Sequence, residues 1–285
     1  MVRQAHHERL IMTAYFASRS WDSYMALALV SLYNGDRGQA HTYEACTMLL
    51  RYMDLLFRDP ASFILVFATF LATSGVALLI AITVHEGSHA AVAYRLGDST
   101  GKRLGRLSLN PLRHLDPMGT LMLLLVGFGW GKPVPVNPHF LRYGARGMSM
   151  VAAAGPVSNV ITAAVFALPV RMGLVPWHSP FAFRGLLQGE GPGGLLADLL
   201  GFVIFFNIIL AVFNLIPLFP LDGSKVAVGI LPSSMASTIA RWEAAGPAIL
   251  MIVIMVDWVT NLNLIWGVLQ PMADVVGLLV LGHTL

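Results

Sequence analysis

Residues 61–97 read ASFILVFATFLATSGVALLIAITVHEGSHAAVAYRLG, and the first 24 of them carry no charged side chain. As an α-helix, 24 residues would extend about 36 Å, which exceeds the roughly 30 Å thickness of the hydrocarbon core of a bilayer. The helical pattern continues beyond this charge-free run and stops near Gly97. The stretch therefore predicts a membrane-spanning helix with ionisable side chains in its second half.

The composition of the whole chain points the same way. Of its 285 residues, 56% are hydrophobic and only 12% are charged, against about 25% charged in an ordinary soluble domain. So few charges argue against a soluble enzyme, a disordered protein and a nucleic-acid binder. The single cysteine, Cys46, rules out an internal disulfide framework and a multi-cysteine zinc site. We therefore expect the lipid bilayer, and no nucleic acid, as a partner.

Other apolar runs follow along the chain. Residues 147–170 and 195–221 predict two more spans, and residues 244–256 and 258–285, which Asp257 separates, leave room for one or two others. The run 118–130 is too short for an ordinary crossing and is typical of a re-entrant or partly buried segment. Prolines exclude a helix from the segment 132–138 and favour an edge strand or an extended loop. The expected fold is an α-helical polytopic membrane protein with about four to six transmembrane helices and a small β-hairpin or extended re-entrant element.

The charged residues divide the chain and indicate an orientation. Residues 1–52 form a more polar N-terminal extension of unknown role, which is either an appendage or the product of a wrongly chosen start codon, and residues 53–285 form the membrane-embedded core. Eight basic residues and only two acidic ones lie between positions 95 and 146. Because basic loops favour the cytoplasmic side, we expect a multi-pass protein of the cell membrane whose active site lies nearer the cytoplasm.

Candidate chemistry is concentrated in His85-Glu86-Gly87-Ser88-His89. A helix places residues i and i+4 on one face, so both imidazoles can reach one zinc ion, and Glu86 can flank the metal as a base. The alternative without a metal site is that both histidines are solvated residues at the membrane surface. Arg95 argues against it, because His85 would lie about 15 Å deeper than an interfacial Arg95.

A catalytic zinc ion needs a third protein ligand, and Asp222 is the best candidate for it. It follows Pro217 and Pro220 at the end of an apolar run, and Gly223 permits a sharp turn. The alternative is an interfacial aspartate paired with Lys225. His114 and His139 lie in polar loops, where we expect ordinary surface or loop-packing histidines.

At this point the chain resembles the site-2 protease family of intramembrane zinc metalloproteases, in its compact prokaryotic branch without a PDZ or CBS domain. The resemblance rests on the following three segments: His85-Glu86-x-x-His89, Gly155-Pro156-Val157-Ser158-Asn159, and Asn214-x-x-Pro217-x-x-x-Leu221-Asp222-Gly223. It implies one zinc ion per chain, and a transmembrane protein as substrate.

The resemblance also implies roles for single residues. His85, His89 and Asp222 would bind the zinc ion, and Glu86 would be the catalytic acid and base. Asn159 and the segment Gly127-Phe128-Gly129 would lie near the substrate. From the residues alone, Asn159 can instead bridge two helices, which is the commoner role of a membrane asparagine, and the glycines can merely allow helices to pack closely.

Several other polar residues have no assigned role. Asp198 and Asp274 lie in apolar runs that name no partner for them, Asp257 is interpreted as a loop or interface residue, and His178 and His283 are expected at the interface.

Two functions of different classes remain open. The first is an intramembrane zinc endopeptidase that performs regulated intramembrane proteolysis. The second is a non-proteolytic metal-binding scaffold or transport-type membrane protein. Glu86 favours the enzyme, because a simple binding site has no need of a base. The substrate, its cleavage site, the regulator and the oligomeric state are left open.

Overall fold

The computed structural model describes residues 56–126, 129–180, 191–260 and 262–285, and the regular structure in these ranges is helical. In chain order the helices are α1 (Pro60–Arg95), α2 (Thr100–Arg103), α3 (Pro117–Val126), α4 (Ala145–Arg171), α5 (Gly191–Leu215), α6 (Asp222–Ile230), α7 (Ser233–Ala240), α8 (Gly246–Thr260) and α9 (Leu264–Leu281). Short 3-10 turns lie at Pro111–Arg113 and Pro138–Phe140.

The chain divides into two compact units. The first comprises residues 1–70 with 181–183, and the second comprises residues 71–180 with 184–285. Of the first unit the structure describes residues 56–70, which contain the beginning of α1. The predicted division into residues 1–52 and 53–285 stays a prediction, since residues 1–55 lie outside the described part.

Helix α1 has local signals at both ends. The Asp59 carboxylate accepts hydrogen bonds from the backbone N–H and the hydroxyl of Ser62, and Pro60 occupies the first helical position, where its missing N–H costs nothing. The helix ends at Arg95 and is followed by Gly97, whose φ of +110° is one that other residues rarely adopt. The predicted helix that stops near Gly97 is confirmed.

Four described helices are long and apolar enough to cross a bilayer, namely α1, α4, α5 and α9. This number agrees with the lower end of the predicted four to six. Helix α8 is apolar but has only 15 residues, fewer than the roughly 20 that an ordinary crossing needs. Of the two interpretations of Asp257, the loop is wrong, because the residue lies in the last turn of α8, and the interface stays a prediction. Its carboxylate accepts hydrogen bonds from the backbone N–H groups of Leu264 and Ile265.

The core of the second unit is formed by α4, α5 and α9. Ala163 and Ala167 of α4 lie against Ile204 and Ile208 of α5, and all four side chains are fully buried. Small residues at a helix–helix contact let the two backbones approach closely, which is how helices associate in lipid. Helix α6 also packs against α4 and α5, so that the chain after α5 remains close to this core.

The opposite face of α4 is an exposed apolar stripe. Val157, Ile161, Val165 and Leu168 follow one another at intervals of three or four residues and are each more than half exposed. Such a continuous apolar face is rare on a soluble monomer and common where lipid is the solvent. The exposed stripe therefore agrees with a membrane location.

The segment between α3 and α4 contains the predicted extended element. Among the described residues the structure has no β-sheet, and a single antiparallel bridge joins Leu115 to Gly131. The predicted β-hairpin is therefore not confirmed. Residues 132–137 have no regular secondary structure, in agreement with the prolines that exclude a helix there.

Candidate metal centre

His85 and His89 lie on one face of α1 and point into the protein. Both are buried, with 5% and 7% of their surface exposed. Their rings stand almost perpendicular to each other, with centroids 4.6 Å apart. Two imidazoles placed in this way, one helical turn apart, can bind the same metal ion.

Asp222 reaches the histidines because the chain turns back after α5. Helix α5 ends at Leu215, and Asp222 begins α6, which packs against α4 and α5. The turn requires a glycine next to the aspartate, because a Cβ at Gly223 would lie 2.3 Å from the carbonyl oxygen of Leu215. The Asp222 Oδ2 atom lies 3.0 Å from His85 Nε2 and 3.1 Å from His89 Nε2, and the side chain is only 13% exposed. This placement does not fit an interfacial aspartate paired with Lys225.

Hydrogen bonds fix the protonation of both rings. His89 Nδ1 lies 2.7 Å from the carbonyl oxygen of Val151, which can only accept, so Nδ1 carries the hydrogen. His85 Nδ1 lies 2.6 Å from Asn159 Oδ1 and likewise donates. In a neutral imidazole the other nitrogen then bears a lone pair, and both lone pairs point at the Asp222 carboxylate.

Three electron-pair donors therefore meet at one buried point, with their ligand atoms all within 4.8 Å of one another. Lone pairs that face each other repel unless a cation lies between them. An aspartate binds a metal through its ionised carboxylate, as a histidine does through a neutral ring nitrogen. Two imidazoles and one carboxylate are a donor set that suits a catalytic zinc ion, with the fourth position left for water.

Gly155 of α4 makes room for the two imidazoles. A Cβ at this position would lie 2.6 Å from His85 Cε1 and 2.6 Å from both Cε1 and Nε2 of His89. Both rings are held by hydrogen bonds to α4, so neither can move away at little cost. Gly155 stands out in the sequence as part of Gly155-Pro156-Val157-Ser158-Asn159, but its need to make room for imidazoles of another helix is not visible there.

Replacing Gly155 by alanine is expected to weaken zinc binding at least tenfold, roughly the effect of disturbing the outer shell of a metal site. The cause is displacement of the rings rather than a weaker helix, since alanine stabilises a helix by about 1 kcal/mol relative to glycine. Zinc affinity, measured by competition with a chromogenic chelator, checks this. Gly75→Ala in α1 is the matched control, because a Cβ there meets nothing within 4 Å. Equal affinities for the two variants would contradict the proposed steric role.

Glu86 follows His85 and meets the extended segment. Its Oε2 atom accepts a hydrogen bond of 3.2 Å from the backbone N–H of Val134. Pro133 and Pro135 on either side have no N–H to offer. Gly131 also lies close, since a Cβ there would be 3.9 Å from Glu86 Oε1. The carboxylate is thereby oriented by a backbone donor rather than by a cation.

The extended segment is held at both ends. At one end the backbone N–H of Lys132 donates to the carbonyl oxygen of His114, at 2.8 Å. At the other, Asp98 accepts hydrogen bonds from the backbone N–H groups of Asn137 and Thr100, at 2.7 and 2.9 Å. Burial tends to raise the pKa of the Asp98 carboxyl, but these hydrogen bonds outweigh it and the pKa is lowered. An ionised Asp98 therefore ties the segment to the residues that follow α1.

The remaining residues singled out in the sequence lie as follows. Asn159 is fully buried and contacts His85. Gly129 lies two residues before the bridge at Gly131, and Gly127 and Phe128 lie outside the described residues. His114 is fully buried, and one ring nitrogen donates to the carbonyl oxygen of Ser108, while His139 is exposed.

Three groups that contact the site residues, or a partner of His85, were missed. The Val151 carbonyl and the Val134 N–H are backbone groups, which a sequence does not mark. Asn207 contacts Asn159 with a distance of 2.8 Å between Oδ1 and Nδ2. Its one visible signal was an amide side chain within the apolar run of α5.

The chain is similar to proteins whose names contain zinc metalloprotease. It is 38% identical over 207 residues to "Putative zinc metalloprotease YwhC" of Bacillus subtilis, a match that covers 70% of this chain and 86% of YwhC. It is 34% identical over 139 residues to "Putative zinc metalloprotease Rip2" of Mycolicibacterium smegmatis, covering 45% of this chain and 51% of Rip2. The protein of the same name from Mycobacterium tuberculosis is 30% identical over 151 residues, or 51% of this chain and 52% of Rip2.

No family model and no solved structure matches the chain. The identity to YwhC and the share of YwhC that it covers are sufficient to assign a family. The buried His85, His89 and Asp222 are a possible metal site of the kind that the name of this relative requires. The chain therefore belongs to the family of YwhC, a family whose members named above are called zinc metalloproteases.

Proposed function

We propose that this protein is an intramembrane zinc endopeptidase of the site-2 protease type. It hydrolyses a peptide bond in or near the transmembrane segment of a membrane-protein substrate, as in regulated intramembrane proteolysis. The observation that carries the proposal is the meeting of His85, His89 and Asp222 at one buried point, with Glu86 beside it. The family of YwhC supports zinc as the metal, and we propose one ion per chain.

The position of the histidines in α1 supports catalysis within the membrane. His89 and His85 precede the last residue of this 36-residue helix by six and ten positions, or about 9 and 15 Å along the helix axis. Helix α4, which contacts both histidines, carries the exposed apolar stripe described above. Ionisable groups at such a depth are costly in a bilayer and are typical of functional sites. The basic residues between positions 95 and 146 support our proposal that this end of α1 lies on the cytoplasmic side of the cell membrane.

Glu86 provides the proton transfers of the reaction. When bound, zinc supplies Lewis acidity, which polarises a peptide carbonyl and makes water a stronger acid. The Glu86 carboxylate takes the proton of the attacking water and later gives it to the leaving nitrogen. The Val134 N–H uses one lone pair of Oε2, and a carboxylate has further lone pairs on both oxygens for this task.

The substrate segment must be unwound before it is cleaved, because a carbonyl within a helix is engaged in a hydrogen bond and shielded by side chains. The extended segment 132–137, which passes over Glu86, offers backbone groups that can pair with an unwound chain. Gly127, Phe128 and Gly129 lie three to five positions before this segment and are proposed to contact the substrate. For Asn159, substrate binding stays a prediction.

The alternative is a metal-binding scaffold or transport-type protein that does not hydrolyse peptides. The same three ligands would serve such a protein. It would have no use for a carboxylate held beside the metal site, and the oriented Glu86 therefore favours the protease.

Removing the metal is expected to abolish cleavage, and zinc should restore it. The purified protein is placed in liposomes with a single-span substrate protein, and the products are identified by mass spectrometry. A strong chelator should stop cleavage within or beside the membrane segment, and about one equivalent of zinc should recover it. Chelator-resistant cleavage would contradict the zinc mechanism. A protein that retains tightly bound zinc and cuts none of a panel of membrane substrates would support the scaffold.

A further inference from the structure

An amide pair connects α5 to the candidate metal site. Asn207 of α5 and Asn159 of α4 are both fully buried, and Asn159 Nδ2 donates to Asn207 Oδ1 at 2.8 Å. Asn159 in turn contacts His85. Asn207 itself touches none of the three proposed ligands, so any effect it has on the metal must pass through Asn159.

Two backbone carbonyls, those of Val203 and Ala81, fix the direction of the hydrogen bonds that link Asn207 through Asn159 to His85. Asn207 Nδ2 donates to the carbonyl oxygen of Val203, at 2.8 Å, and its Oδ1 must therefore face Asn159. Asn159 Nδ2 donates both to Asn207 and to the carbonyl oxygen of Ala81, at 3.1 Å. Backbone carbonyls only accept, so turning either amide over would bring two oxygens, or two N–H groups, face to face.

These hydrogen bonds also determine which ring nitrogen of His85 carries the hydrogen. With both N–H bonds of Asn159 in use, only its Oδ1 is left for His85, and His85 Nδ1 must be the donor at 2.6 Å. The hydrogen is thereby held on Nδ1, and Nε2 keeps the lone pair that points at Asp222. An imidazole whose hydrogen is held on one nitrogen is prepared to bind a metal through the other.

We propose that Asn207 is a positioning residue for the metal site. Acting through Asn159, it holds His85 in the tautomer and ring orientation in which Nε2 binds zinc. This inference rests on the proposed zinc site, and it assigns a role to a residue of α5 that contacts neither the metal point nor Glu86.

The decisive variant is Asn207→Leu, which has nearly the same volume and no acceptor. It leaves one N–H of Asn159 buried without a partner. The Ala81 carbonyl then holds the Asn159 amide alone, so this amide and the His85 ring are held less firmly. We expect the dissociation constant for zinc to rise about tenfold, at the lower end of the effects of outer-shell residues. With Co²⁺ in place of zinc, the d–d absorption bands should shift, because they report the geometry of the ligands.

Two further variants separate positioning from mere packing. Asn207→Gln keeps both an oxygen that can accept from Asn159 and an N–H that can donate to the Val203 carbonyl, and it should bring the dissociation constant and the cobalt spectrum back close to those of the wild type. Thr162→Val is the matched control on α4, because the Thr162 hydroxyl donates to the Ser158 carbonyl of its own helix. It should change neither measurement.

The outcomes are distinct. A folded Asn207→Leu variant with the zinc affinity and cobalt spectrum of the wild type would overturn the positioning role. If that variant does not fold, Asn207→Gln decides alone, and a dissociation constant raised tenfold or more would overturn the role. Failure of the wild type to bind either metal would instead overturn the proposed zinc site itself.

Discussion

Glu86→Gln is expected to lower the rate of substrate cleavage by a factor of about 10² to 10⁴, the range that general acid–base catalysis contributes, while zinc binding is retained. Glutamine cannot take a proton from water. Its side-chain oxygen can still accept the hydrogen bond that Val134 donates to Glu86 at 3.2 Å, so the extended segment should keep its place. Cleavage of a single-span substrate in liposomes and bound zinc per chain are measured on the same preparations.

The control for this variant is Asp274→Asn, which makes the equivalent change from acid to amide in α9. It should cleave at the rate of the wild type. A Glu86→Gln variant with undiminished cleavage would remove Glu86 from the mechanism. Loss of zinc together with cleavage would assign Glu86 to metal binding rather than to proton transfer.

Asp222→Asn is expected to weaken zinc binding by at least about 100-fold and to abolish cleavage with it. The neutral amide has almost the same shape, but it removes the negative charge that faces His85 and His89 at 3.0 and 3.1 Å. Removing a ligand should cost more than disturbing an outer-shell partner, which typically costs 10- to 100-fold. Equilibrium dialysis against buffered zinc measures the affinity, again with Asp274→Asn as the control. An unchanged stoichiometry and affinity would exclude Asp222 as a ligand.

The spanning helices could be predicted because their signals are local. The run of 24 residues without a charge predicts α1. Gly97 predicts its end, where the φ of +110° favours a glycine. The i and i+4 positions of His85 and His89 follow from helix geometry alone. All of these features depend on residues within one helix, which is where sequence periodicity is informative.

The depth of Asp222 could not be predicted in the same way. The aspartate lies 137 positions after His85, and only the return of the chain after Leu215 brings the two together. The requirement for Gly155 is equally non-local, since it arises from imidazoles on another helix. Asn207 gave one weak signal, an amide in an apolar run, and its partner Asn159 lies 48 positions earlier.

Two isolated polar residues form contacts that the sequence did not indicate. His178 is 3% exposed and its Nδ1 lies 2.7 Å from the Asp198 carboxylate, while its expected location at the interface stays a prediction. The partner of Asp198 is thus a loop residue that precedes α5. Asp257 lies in α8 and bonds the first N–H groups of α9, although a charge between two apolar runs is typical of a loop. In both cases the carboxylate, that of Asp198 or of Asp257, has a hydrogen-bond partner in another segment of the chain.

X-ray absorption at the zinc edge of the purified wild-type protein tests the central claim most directly. We predict about one zinc ion per chain, with two imidazole nitrogens and at least one oxygen at about 2.0 to 2.2 Å, and no sulfur at 2.3 Å. In Asp222→Asn this signal should be lost or changed in its oxygen shell. A protein without bound zinc, or a coordination shell with fewer than two imidazoles, would contradict the site formed by His85, His89 and Asp222.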